Sequence, residues 1–135
     1  MTDSPSNENL HYETLPDFVQ IGPYQFIVEL VSHEHAMEAG YFGFCDYSRQ
    51  VIRVSEELTP NNLANTMMHE VMHGIHWVYG VSDASTEEQT TEMSANGLCK
   101  LAQDNPEFMQ WWLRTINTKF VIRRKTESKR KVKNK

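Results

Sequence analysis

A chain of 135 residues has room for one domain with one modest core; with 39% hydrophobic residues and no apolar run of about 18, it offers no membrane-spanning helix. The formal charge of −5 hides a division: residues 119–135 hold nine of the 13 Lys and Arg and one acid, Glu127, whereas the first 118 residues hold four basic residues and 17 acids. The opening residues are polar and acidic rather than leader-like, and Cys45 and Cys99 stand outside any CxxC pair, so reduced thiols and a cytoplasmic location are expected.

Residues 1–16 read as a flexible lead-in ending at Leu15-Pro16. Tyr24–Val31 is rich in aromatic and β-branched residues and predicts a strand. Residues 32–40 are polar and read as a connection. Residues 40–45 and 50–54 predict two short strands, closed into a hairpin by Asp46-Tyr-Ser-Arg49. Thr59-Pro60 predicts a helix start, with Thr59 as N-cap and Pro60 at the first helical position. Leu63, Met67, Val71, Ile75 and Val78 then recur at spacings of four and three, and Gly80 supplies a stop. Ser85-Thr-Glu-Glu88 has the form of a capping box opening a second helix to about Gln103, with Ala95, Leu98, Cys99 and Ala102 on its inner face. Asn105-Pro106 opens a third, containing Phe108, Met109, Trp112, Leu113 and Ile116. Adjacent Trp111 and Trp112 cannot both face one core, so one is expected at the surface. The basic segment 119–135 is expected to be a solvated end, with contact to nucleic acid or another polyanion, or folding back on the acidic body, as the alternatives.

The chemistry concentrates in His69-Glu-Val-Met-His73. Residues i and i+4 of a helix share a face, so His69 and His73 can reach one ion together. Glu70 is turned about 100° from His69, placed to reach a water on that ion rather than the ion itself. Two imidazoles holding Zn²⁺ and a carboxylate taking a proton from water is the division of labour of a metal hydrolase. The motif lies among Met67, Met68, Val71, Met72 and Ile75, where an uncompensated carboxylate is costly and a metal relieves the cost. His76 shares the face but stands roughly 10 Å along the axis from His69, too far to join it on one ion, and is read as structural or cleft-lining.

A catalytic zinc takes three protein ligands and leaves one position open. If the second helix starts near Thr86 and returns antiparallel, Glu92 stands level with His73, and Glu88 lies about four residues lower beside Trp77. Glu88 also has a capping role available, and Glu92 falls on the stripe of Ala95 and Cys99, so Glu92 is the expected third ligand and Glu88 the alternative. Asn96, one turn on, is placed either to orient a ligand histidine or simply to face solvent. Tyr41, Tyr47, Tyr79 and His76 are all available to stabilise an oxyanion, and His33 and His35 read as an exposed loop pair rather than a second metal site.

His69-Glu-Val-Met-His73 followed by a helical glutamate resembles the HExxH-plus-Glu zinc peptidases of gluzincin type. The segment Glu92-Met-Ser-Ala-Asn-Gly-Leu-Cys99 is similar to the E-x-x-A-N-x-F-A pattern of the ImmA/IrrE-like metallopeptidases, with Leu98 for Phe and Cys99 for Ala, and the layout resembles small phage-encoded metallopeptidases. The resemblance covers roughly residues 40–106. It implies zinc bound by His69, His73 and Glu92, Glu70 as general base, and a peptide or protein substrate paired along the strand before the motif, here Gln50–Val54. ImmA-like relatives cleave a repressor or regulator; this chain departs from the larger members in its short interval from His73 to Glu92 and in showing no DNA-reading segment within these residues, so that role is not carried over.

The expected architecture is α+β: a flexible segment 1–16, a domain over 17–118 in which a small antiparallel β-sheet packs on a helical pair carrying a minimal gluzincin-like site, with a third helix in support, and the basic end 119–135. The expected function is zinc-dependent peptide hydrolysis. The rival readings are a non-catalytic protein stapled by zinc and a nucleic-acid-associated factor acting through the basic end.

Overall fold

The computed structural model describes residues 6–119, and its elements run α1 (Ser6–Glu13), β1 (Phe18–Ile21), β2 (Tyr24–Val31), α2 (His33–Ala39), β3 (Gly43–Asp46), β4 (Val51–Ser55), α3 (Pro60–Tyr79), α4 (Glu87–Asp104) and α5 (Pro106–Ile116). The fold is α+β, but its four-stranded sheet is mixed rather than antiparallel, in the order β1-β2-β4-β3. β1 and β2 form one antiparallel hairpin and β3 and β4 another, and the two join through a parallel pairing of β2 with β4, from Ile27 opposite Val51 to Val31 opposite Ser55. A parallel neighbour needs a crossover, and residues 32–50 supply it. Part of that stretch, expected as a plain connection, is α2: Ser32 accepts the His35 N–H at its start, and Gly40 ends it in the left-handed region at φ 80°.

One sheet face carries Val19, Ile21, Phe26, Cys45, Ile52 and Val54 against Leu63, Met67, Val71 and Ile75 of α3, and Leu101, Phe108 and Trp111 close the same core. The α3 stripe was legible because spacings of four and three return to one side of a helix. Pro60 occupies its first turn and Gly80 its end, at φ 77°; Thr59 has the extended cap backbone but its hydroxyl makes no cap hydrogen bond.

The capping box of α4 is one residue later than expected: Thr86 Oγ1 accepts the Gln89 N–H at 3.1 Å and Gln89 Oε1 accepts the Thr86 N–H at 2.9 Å. Ser85 is already used in the preceding turn, where its hydroxyl accepts the Ser82 N–H. The inner face also differs, with Gly97 and Leu101 buried while Ala95, Leu98, Cys99 and Ala102 are exposed. A methyl group at Gly97 would collide with Ile75 and press on the Tyr79 ring, so the absence of a side chain sets how closely α4 approaches α3.

Neither tryptophan of α5 is exposed as expected: Trp111 is buried and donates its indole N–H to the His11 carbonyl at 2.8 Å, and half-buried Trp112 donates to the Ala64 carbonyl at 3.2 Å. The first of these bonds anchors α1, which replaces much of the expected flexible lead-in. Tyr12 completes the anchor by accepting the Leu58 N–H at 2.6 Å, its hydroxyl 3.2 Å from the carbonyls of Ser55 and Leu58. Residues 1–5 and, apart from Lys119, the basic segment 119–135 lie outside the described residues. No helix among the described residues is long and apolar enough to cross a membrane.

Candidate functional site

Four residues apart on α3, His69 and His73 are both exposed and converge: their Nε2 atoms stand 3.1 Å apart, with the rings at 75° to each other. The separation suits an imidazole–imidazole hydrogen bond in which one ring donates. It also suits a metal, because two nitrogens bonded at 2.0–2.1 Å to a tetrahedral ion stand about 3.3 Å apart.

Glu70 lies next to this pair, turned under the sheet, with a relative exposure of 7%. Burial pushes its carboxyl above the usual range, and the His69 and His73 side chains pull in the opposite direction. None of the ion pairs among the described residues involves it. Glu70 is not among the side chains with a fully buried, unpartnered polar atom, so its carboxyl keeps a path to solvent while most of the side chain is covered. Two imidazoles open to solvent and a flanking carboxylate supply two of the three protein ligands, and the proton acceptor, that a catalytic zinc would need.

β3 is what buries Glu70. Gly43 passes so close that a Cβ there would lie 2.5 Å from Thr66 Cγ2 and 2.9 Å from Glu70 Oε2. Cys45, two residues on, faces the core, and burial, with Glu70 and Asp46 nearby, raises its thiol to about 12. β3 is an outer strand of the sheet, whereas β4 lies between β2 and β3. The strand expected to present a free edge to substrate, Gln50–Val54, is thus interior, and β3 holds the edge above Glu70.

The α4 carboxylates are not brought to the histidines. Glu92 and Glu88 are exposed, and no group of three His, Cys, Asp or Glu side chains able to hold a metal forms among the described residues. The contact between α3 and α4 explains why: Ser94 Oγ lies 3.3 Å from His76 Nε2 and Gly97 sits on Ile75 and Tyr79, while Glu92 is turned about 200° from Ser94 around the helix. Glu88 has no part in the cap either, since Gln89 takes it. His76 is half-buried in a structural contact, and Asn96 is exposed. His33 and His35 fall on α2, not on a loop or strand, and two residues apart on a helix they diverge; His33 stacks on Phe42 at 6.2 Å.

One feature beside the site has no local signature in the sequence. Trp77, one turn beyond His73, has Tyr47 stacked on it at 5.5 Å and 17° and Tyr24 tilted against it at 5.1 Å. These residues come from α3, the β3–β4 turn and the start of β2, and only the folded chain unites them.

No family model matches the chain, and neither a curated protein nor a solved structure matches it.

Proposed function

We propose that the chain is a zinc-dependent peptidase in which His69 and His73 hold the metal and Glu70 is the general base. The observation that carries this reading is the convergence of two exposed imidazole nitrogens to 3.1 Å beside a buried carboxylate without an ion-pair partner. The resemblance of His69–His73 to the HExxH peptidases supports it. A purely structural zinc is less well supported, because a staple has no use for a base beside its ligands.

When bound, zinc polarises the substrate carbonyl and lowers the pKa of a bound water to about 7. Glu70 takes the proton as the water oxygen bonds to the carbonyl carbon, and delivers it to the amide nitrogen as the C–N bond breaks. Burial pushes its carboxyl pKa upward, which makes the carboxylate a stronger acceptor for the proton of the attacking water. The outer edge of β3 offers backbone groups for an extended substrate strand directly above this residue. Glu92, with Glu88 as the alternative, remains the proposed third ligand by its position in the resemblance; both are exposed and stand apart from the histidine pair here.

Elemental analysis of purified protein tests the reading. About one zinc per chain is expected in the wild type and in Glu70→Gln, with little in His73→Ala and a reduced content in Glu92→Gln if it is a ligand. Peptide hydrolysis should then fall about 10²- to 10⁴-fold in Glu70→Gln with its zinc retained. Absence of zinc after reconstitution, or full hydrolysis in Glu70→Gln, refutes the proposal.

A further inference from the structure

Trp77 extends the spacing of His69 and His73 by one more turn along the exposed side of α3. Its indole is fixed, with Phe26 edge-on at 6.3 Å, Tyr47 stacked and Tyr24 tilted against it. Yet Tyr24, Tyr47 and Trp77 remain 38%, 46% and 39% exposed. Three large rings drawn from three separate elements and left at the surface leave apolar area in water, a pattern that marks a contact site. The rings touch one another, which leaves no space for a cation between them, so they form a platform rather than a cage.

We propose that Tyr24, Tyr47 and Trp77 form a specificity subsite of the His69/His73 centre, taking a large aromatic or aliphatic side chain of a neutral or basic peptide; the assignment as a substrate subsite rests on the peptidase reading above. Its place relative to the cleaved bond follows from the helix. Trp77 lies six residues beyond the midpoint of the histidine pair, about 9 Å along the axis. An extended peptide advances about 3.4 Å per residue, so the platform meets a side chain about three residues from the bond. β3 runs from Gly43, above Glu70, toward Tyr47, beside Trp77. Antiparallel pairing is the slightly more stable mode, and a peptide so paired with β3 reaches the platform first and the histidines afterwards, which puts the recognised side chain on the N-terminal side of the bond. The charge preference of the occupant is inferred from the chain at large: 17 acids against four basic residues in the first 118 disfavour an acidic peptide.

Two readouts on the full chain test this. The zinc-loaded enzyme is given a proteome-derived peptide library and its cleavage sites are read by mass spectrometry. In parallel, Glu70→Gln protein is titrated with fluorescent basic peptides that differ only in carrying Phe or Ala. Enrichment of large apolar residues about three positions before the bond is expected, with Phe peptides binding about tenfold tighter than Ala peptides and most of that ratio lost in Tyr47→Ala, in line with aromatic contact energies. Tyr47 lies on an exposed turn; Tyr24→Ala serves as the second variant, and thermal melting confirms that both are folded. Cleavage without the enrichment, or a Phe-to-Ala ratio unchanged in both variants, overturns the subsite and leaves the peptidase standing. Preferential Phe binding that is lost in the variants, with no cleavage by the wild type, upholds the platform as a peptide site and removes the peptidase. Neither binding preference nor cleavage overturns both.

Discussion

Gly43→Ala tests the placement of β3 over the candidate base. The new Cβ would lie 2.5 Å from Thr66 Cγ2, 2.9 Å from Glu70 Oε2 and 3.1 Å from Glu70 Cγ. Carbon contacts settle at about 3.5–4.0 Å, so strand and helix must separate by about 1 Å. Overpacking of this kind costs about 1–3 kcal/mol, and loss of glycine's freedom in the unfolded chain offsets about 0.4–1 kcal/mol of it. A net loss of about 1.5 kcal/mol lowers the melting temperature by roughly 6 °C in a domain of this size. Thr66→Ser deletes the methyl group in the closest contact and keeps the hydroxyl that lies 3.3 Å from Asn62 Oδ1. The double variant should therefore recover about half of the loss, a favourable coupling of roughly 0.7 kcal/mol between the two sites. Circular dichroism melts of the four proteins give the cycle. Because Glu70 must shift, hydrolysis should fall in Gly43→Ala by more than zinc content does. A single variant that melts with the wild type, or a double variant at the additive position, would show that β3 does not cross α3 at Gly43 and Glu70.

Two further outcomes are expected. Cys45 is buried with its thiol raised to about 12, whereas Cys99 is exposed, so iodoacetamide at about pH 8 should add one group per native chain, at Cys99, and two after denaturation; equal rates at both would contradict the inward face of β3. His11 is buried, and burial followed by the charge of Arg114 lowers its pKa from 6.5, so the fold favours the neutral ring. Its contribution to stability is intact above pH 6.5 and drains away as pH falls through 6.5 toward the folded value. Urea unfolding at about pH 7.5 and pH 5.5 should show a smaller acid loss in His11→Gln than in the wild type, and an equal loss would remove His11 from the account.

The parts legible in the sequence are those that one element fixes by itself. α3 has a proline in its first turn, a periodic stripe and a glycine stop, and the approach of His69 to His73 is a property of helix spacing. What tertiary packing decides was not legible. α4 turns toward α3 the face that holds Gly97, a residue that carries no hydropathy signal, and the apolar Ala95, Leu98 and Cys99 face out. That rotation is also what carries Glu92 away from the histidines. α2 buries only Ala36, too little for an apolar stripe to reveal a helix. The parallel partner of β2 lies more than twenty residues onward, and nothing within either strand selects it. Tyr24, Tyr47 and Trp77 are far apart in the chain, so their meeting had no local trace.

Asn105, at the junction of α4 and α5, gives the sheet an asymmetry. Its side-chain amide does for Gln20 what a neighbouring strand would do, accepting the Gln20 N–H at 2.7 Å and donating to the Gln20 carbonyl at 2.7 Å. The outward rim of β1 is thereby closed by a single residue, which a third bond, to the Leu101 carbonyl, holds in place. Exposed rims invite strand addition, whether by a ligand or by another copy of the chain. With one rim occupied in this way, an incoming extended segment is directed to the opposite margin of the sheet, above Glu70. The same residue that ends α4 thus occupies the rim on one flank and leaves the flank beside the histidines as the open edge, the one to which the proposed function assigns the substrate.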